Sequence, residues 1–230
     1  MREVQEGHSR GVGGSVRETI NYIKTSMLSK TSDLIIANNC CGGVFYQHKG
    51  FLYNNPFIWM IVPYDSMAVL MTQFEHIKWN NIKMFPSKIK KNTFIINVDN
   101  KVDIHYVHYI FDPKYISPTI IVDSFGKHLA SKNIWIYMVN KYIQRVNEMY
   151  HSKMIPKFII HDQVWGVSKN TIEDLVAIKC KYKRVFITSE CIKCNYDAQQ
   201  TKVINSNPRM SPIPMMTKWF DDINNFLSDG

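Results

Sequence analysis

Two cysteines stand side by side in Asn38-Asn39-Cys40-Cys41-Gly42-Gly43, directly after the apolar run Leu34-Ile-Ile-Ala37. A compact apolar run that ends in a glycine turn is the pattern of a buried strand handing over to a helix. A thiol at such a junction feels the positive end of the helix dipole, which lowers its pKa and raises its thiolate fraction. The amides of Gly42 and Gly43, with the side chain of Asn38 or Asn39, are the donors an oxyanion hole requires. A base is then sought in Val102–Phe111, where His105 and His108 fall on opposite faces of a strand, so that only one can point at a given site. Asp123 lies fifteen residues beyond His108, on the expected partner strand, and suits the task of orienting that imidazole. The spacing selects Cys40, His108 and Asp123 as nucleophile, base and orienting carboxylate. The competing expectation is that the cysteines are buried structural thiols, since free cysteine is among the most buried residue types.

The same turn supports a second chemistry. Glycines at a strand-to-helix junction admit a phosphate close to backbone N–H groups. Asn38, Asn39, Gly42 and Gly43 would then cradle the diphosphate of a sugar nucleotide, with His105 beside it and Arg145 and nearby lysines offsetting its charge. The segment is neither G-x-G-x-x-G nor a Walker motif. His161-Asp162, at the end of the strand Phe158-Ile-Ile160, can contact a sugar or a metal, or serve only as a polar strand exit. Tyr53-Asn-Asn-Pro56 with Phe57 and Trp59 offers an aromatic platform for a sugar ring, or simply core. Cys191-x-x-Cys194 is half of a zinc or redox signature, but two further ligands at similar spacing do not follow, which leaves Cys180 or a distant histidine. No metal site and no cofactor is expected.

The chain must supply the strands and helices that hold these residues. It has 230 residues, 45% of them hydrophobic, enough for a real core. The longest apolar run, Phe57–Val62, is far short of the ~20 residues of a membrane span. The polar N-terminus lacks the apolar stretch of a secretory signal, and five cysteines with an adjacent pair suit a reducing, cytoplasmic setting. Residues 1–15 read as a mobile arm and 16–230 as one domain. A short helix is expected over Glu18–Leu28 and a second from Pro63. Strands are expected at Phe94–Val98, Val102–Phe111, Thr119–Asp123, Phe158–Ile160 and Lys183–Thr188, with Asp99-Asn100 as a tight turn. Trp135, Met138, Val139, Tyr142, Val146 and Met149 make an apolar stripe, so Ile134–Tyr150 is expected to be a helix. Asn170-x-x-Glu173 resembles a capping box, Asn205–Pro214 a loop, and Trp219–Leu227 a docking helix. Alternating strands and helices give an α/β fold: a layered sheet with flanking helices and a strand–turn–helix motif at the first strand.

Asn38-Asn-Cys-Cys-Gly-Gly-Val-Phe-Tyr46, followed by Leu52-Tyr-Asn-Asn-Pro-Phe57, resembles an uncharacterised bacterial family with an Asn-Cys-x-Gly-Gly turn after its first strand. Its members are commonly labelled exopolysaccharide or capsule biosynthesis proteins. Val102–Tyr109, Arg145-Val-Asn147, Phe158–Asp162 and Lys183–Thr188 extend the likeness. Cys41 stands where family members usually carry Trp, and Ile110–Lys127 reads as an added hairpin. The resemblance implies the fold and a glycan-related setting. The expected function is therefore a transferase of exopolysaccharide or surface-glycan biosynthesis or modification, with its donor at Asn38–Gly43. A small-molecule or glycan substrate, a sugar nucleotide among the candidates, would be its partner.

Two alternatives stay open. One is a cysteine hydrolase or acyltransferase using Cys40, His108 and Asp123, whose chain order matches papain-like and transglutaminase-like enzymes in order and spacing only. The other is a non-catalytic binding protein, for which the net charge of +9 suits an anionic polymer or peripheral contact with an anionic membrane. The basic residues are dispersed, so nucleic acid is not the expected partner.

Overall fold

The computed structural model describes residues 33–51, 55–86, 93–106, 109–111, 120–123, 128–130, 134–162, 169–206 and 212–228, and only the backbone for those between 109 and 138 and for 212–213. The expected arm at 1–15, the helix at Glu18–Leu28, Tyr53 and His108 lie outside the described residues.

Four strands form a parallel sheet in the order β1 (Asp33–Ala37), β8 (Ile155–His161), β9 (Arg184–Thr188) and β10 (Thr201–Asn205). Leu34 lies opposite Pro156, and Phe158 opposite Arg184. The strands read as near-continuous apolar runs because both faces of the sheet are covered. Leu34, Ile36, Phe158, Ile160 and Phe186 point into the larger core, with α2 (Tyr64–Gln73) and α3 (Ile134–His151). Ile35, Ala37, Ile159, Val185 and Ile187 point into a second core with α1 (Cys41–Lys49) and α5 (Pro212–Ser228). Helix α1 ends at Gly50, whose φ of 63° is the left-handed cap that glycine adopts without strain.

A second sheet, β2 (Ile82–Pro86), β3 (Phe94–Val98) and β4 (Val102–Tyr106), is antiparallel. Asp99 and Asn100, with φ of 56° and 55°, make the expected tight turn in the conformation a two-residue hairpin favours. A third, β5 (Tyr109–Phe111), β6 (Ile120–Asp123) and β7 (His128–Ala130), is also antiparallel. The expected long strand at Val102–Phe111 is thus two strands in two sheets, and the hairpin expected after Ile110 is present as β5–β6. The fold class is mixed α/β, with a parallel sheet, antiparallel sheets and flanking helices.

Two local expectations are corrected. The capping box of α4 (Ile172–Ala177) is Thr171 with Asp174, not Asn170 with Glu173. Asn170 is spent elsewhere: its Nδ2 donates to Asp65 Oδ1 at 2.9 Å. The stretch from Asn205 to Pro214 is not all loop, since Asn205 closes β10 and Pro212 opens α5. Strands β2 and β10 are additions, one ending in proline and the other short and partly polar.

Two lysines, one on β8 and one just ahead of β9, hold the end of α5. Lys157 Nζ donates to the Leu227 carbonyl at 2.6 Å and pairs with Asp33 at 2.8 Å, and Lys183 Nζ donates to the Phe226 carbonyl at 2.9 Å. Cations there satisfy last-turn carbonyls and oppose the negative end of the helix dipole.

Candidate functional site

Ligands of open parallel sheets bind outside the carboxyl ends of the strands, and there the described residues gather. The first residue past β1, Asn38, uses its side chain as another rung of the ladder to β8. Its Nδ2 donates to the His161 carbonyl at 2.7 Å, and its Oδ1 accepts from the His161 N–H at 2.8 Å. Tyr64 OH also donates to that carbonyl, at 3.0 Å. Asn38 is buried and its amide is engaged at both ends, so it fixes where β1 and β8 stop.

Asn39 turns the chain. Its Oδ1 accepts from Cys41 N–H at 3.0 Å, the side-chain turn that asparagine favours before a helix. That bond fixes the amide orientation, so Nδ2 faces His161 Nδ1 at 3.3 Å. Nδ1 must then be the accepting nitrogen, which leaves the proton of the neutral ring on Nε2. Nε2 lies 3.5 Å from Asp162 Oδ1, too long for a good hydrogen bond. The ring is fully buried, and burial holds its pKa below the ordinary histidine value against the opposing pull of Asp162. Asp162 Oδ2 accepts from Ser189 N–H at 2.6 Å and from Ser189 Oγ at 2.9 Å. Asn39, His161, Asp162 and Ser189 therefore form one polar line across the ends of β1, β8 and β9.

Cys40 caps α1 without a side-chain hydrogen bond to the first turn, which carries no acidic residue. The two thiols differ sharply. Cys40 is half-buried, while Cys41 is fully buried and its pKa is raised, first by burial and then by the neighbouring Cys40. Only Cys40 has the access a nucleophile needs. The glycines that follow serve close packing. A Cβ on Gly43 would lie 2.3 Å from the Trp59 ring, and one on Gly42 would lie 3.2 Å from Ala37 Cβ.

His105 lies on β4, and its backbone exchanges hydrogen bonds with Ile61, at 2.8 and 3.1 Å. Val62 N–H in turn donates to the Asn38 carbonyl at 3.1 Å, so one short segment links β4 to the turn. The His105 ring is buried, its Nδ1 has no hydrogen-bond partner among the described residues, and burial lowers its pKa. His108 lies outside the described residues. Asp123 is the last residue of β6, and its backbone is paired with Tyr109, the neighbour of His108. Arg145 sits on α3, half-buried, and among the described residues it makes no hydrogen bond to the turn; its Nη1 is buried without a partner there.

Among the described residues no cluster of histidine, cysteine and carboxylate has the makings of a metal site. Cys191 is exposed, and Cys194 Sγ lies 3.7 Å from the Glu173 carbonyl. Sequence reasoning weighed His161-Asp162 as a sugar or metal contact or a polar strand exit without joining it to the turn, and it passed over Tyr64 and Ser189. The His161-Asp162 dipeptide at a strand end was the available signal; nothing local marks Tyr64 or Ser189.

Among the described residues no helix is long and apolar enough to cross a membrane. No curated protein matches the chain. Residues 14–113, which run from ahead of β1 through β5 and include the Asn38–Gly43 turn and His105, are similar to a domain of unknown function (DUF1919).

Proposed function

We propose that the protein is a transferase in the assembly or modification of an exopolysaccharide or surface glycan, with its donor seated at the Asn38–Gly43 turn. One observation carries this reading: the polar line Asn39–His161–Asp162–Ser189 meets the amino end of α1, where Asn39 takes the Cys41 N–H and the Cys40 side chain adds no cap, at the carboxyl ends of three parallel strands. The amides opening α1 favour an anionic donor group such as a diphosphate. The Asp162 carboxylate, its side chain 9% exposed, is the group suited to accept a proton from an acceptor hydroxyl, with Ser189 fixing its direction. Calorimetric titration of the full chain with a panel of sugar nucleotides tests the reading. Saturable binding that weakens in Asn39→Ala is the expected result; no heat from any of them at millimolar concentration counts against it.

A second reading is favoured by the contrast between the two cysteines. The half-exposed Cys40 at the start of α1 would attack an acyl carbonyl as thiolate, with the His108 imidazole taking the thiol proton and Asp123 orienting that ring. Iodoacetamide labelling across a pH series, with the site located by mass spectrometry, discriminates. Labelling of Cys40 at mildly acidic pH, slowed in His108→Ala, supports acyl transfer; the pH profile of an ordinary thiol removes its motive.

A further inference from the structure

The opposite end of the parallel sheet holds a cation that the proposed chemistry does not use. Arg184 opens β9 and is 2% exposed. Among the described residues its guanidinium donates only to neutral acceptors: Nε to Thr201 Oγ1 at 2.8 Å, Nη1 to the Leu175 carbonyl at 3.0 Å and Nη2 to the Val176 carbonyl at 3.0 Å. Nη1 also lies 3.8 Å from Met71 Sδ. Among the described residues no carboxylate stands within ion-pair distance of it. A guanidinium has five N–H groups in a planar fork and keeps its charge when buried. A buried cation whose hydrogen-bond partners are all neutral is under-compensated; the carbonyl ends of a short helix and the more distant Asp197 carboxylate supply only part of the missing negative charge.

Arg184 lies at the wall of a cleft of about 580 Å³, within the size range of small-molecule sites. Lys179, Lys181, Asn195, Tyr196 and Asp197 line it as well. Three cations thus face one carboxylate, and Asp197 Oδ1 already accepts from Gln199 N–H at 2.8 Å. Lys181 is held at 2.6 Å by Glu75, an exposed residue of the neighbouring surface that lies outside this cleft. Tyr196, 40% exposed, presents a ring to the same space.

We infer that this cleft binds a small phosphate monoester, its dianion set against Arg184 and Lys179 and its organic body against the Tyr196 ring. Planar guanidinium and compact ammonium together suit a phosphate better than a single carboxylate, which would leave one of the two cations unmatched. The inference is independent of the transferase reading, whose donor lies at the other end of the strands.

The test is calorimetry of the full chain with inorganic phosphate and with adenosine monophosphate, on wild type, on two surface variants and on one variant at the buried Asn39. Saturable binding of adenosine monophosphate is expected, tighter than that of inorganic phosphate. Lys179→Gln should weaken it by about three- to tenfold. Glu75→Gln releases Lys181 and should tighten it by about two- to fivefold. Asn39→Ala, at the other end of the sheet, should leave it unchanged. No saturation with either ligand at millimolar concentration overturns the inference. So does binding that Lys179→Gln and Glu75→Gln leave untouched, and binding lost in Asn39→Ala moves the phosphate to the turn. Equal affinity for the two ligands removes the role given to Tyr196 and leaves only a phosphate subsite. Arg184→Lys, read only where circular dichroism shows a native fold, should weaken binding by at least as much as Lys179→Gln.

Discussion

Removing the Asn38 side chain tests how the site is held, because that amide makes two bonds to one residue 123 positions away. In Asn38→Ala the His161 N–H loses its side-chain acceptor in a buried environment, at a cost of ~1–3 kcal/mol. The His161 carbonyl loses a donor at 2.7 Å but keeps Tyr64 OH at 3.0 Å, a further loss of about 1 kcal/mol. The sum is roughly 2–4 kcal/mol. Tyr64→Phe alone should cost only about 0.5–1.5 kcal/mol, because Asn38 still serves the carbonyl. In the double variant the carbonyl has neither donor, so the loss should exceed the sum of the single losses by about 0.5–2 kcal/mol. Urea unfolding, with a check that the m-value is unchanged, measures all four proteins of this cycle. A loss under about 1 kcal/mol for Asn38→Ala, or strictly additive singles, would refute the account of Asn38 as a rung shared with β8.

Gly43→Ala places a methyl group inside the Trp59 ring, 2.3 Å from its nearest atom, and should cost at least about 2–3 kcal/mol in thermal or urea unfolding; Gly42→Ala, at 3.2 Å from Ala37 Cβ, should lie near neutral because a helical alanine gains about 1 kcal/mol over glycine. A larger loss at Gly42 than at Gly43 would contradict that packing. His105 and His161 are both held below the ordinary histidine pKa by burial, so the unfolded chain binds more protons than the folded one on the acid side of about pH 6.5. Their contribution is present above that pH and is lost as pH falls toward the depressed folded values. Urea midpoints should therefore drop as the pH is lowered, with a shallower drop in His161→Gln, and equal slopes in the two proteins would count against it. Lys157→Met should cost roughly 1–3 kcal/mol by leaving the Leu227 carbonyl and Asp33 without their lysine. Hydrogen exchange over residues 212–228 should quicken in that variant, and unchanged protection would mean that apolar packing alone holds α5.

Much of the framework was legible because burial on both faces writes unbroken apolar runs: Leu34–Ala37, Phe158–Ile160 and Val185–Ile187 are all near zero exposure. The stripe on α3 was legible for a related reason, with Tyr142, Val146 and Met149 buried at helical spacing. Strands β2 and β10 were not, since a terminal proline and the partly polar Thr201-Lys-Val-Ile-Asn205 give no such run. The junction of strand, turn and helix around Cys40 was legible, but the work of its residues was not. Gly43 is glycine because of Trp59, sixteen residues on, and Asn38 is bound to His161. Asn170 fails as a cap because of Asp65, about a hundred residues back. Each of these is a long-range partner, and periodicity carries no information about which distant residue will arrive.

The pairing of β1 with β8 has a consequence for how the chain comes to exist. Ile36 must wait for Phe158, so when β1 is synthesised its partner strand has yet to be translated. At ~5–20 residues per second the delay is on the order of 6–25 s, during which an apolar strand lies beside a ribosome with an open edge. The antiparallel hairpin β3–β4, closed by Asp99 and Asn100, has no such wait. Early assembly should therefore begin there, and the slow event should be capture of β1 by the C-terminal strands. Residues 14–113 contain β1 without β8, β9 or β10. A fragment cut at that boundary would carry the turn and its cysteines while lacking the sheet that gives them their setting.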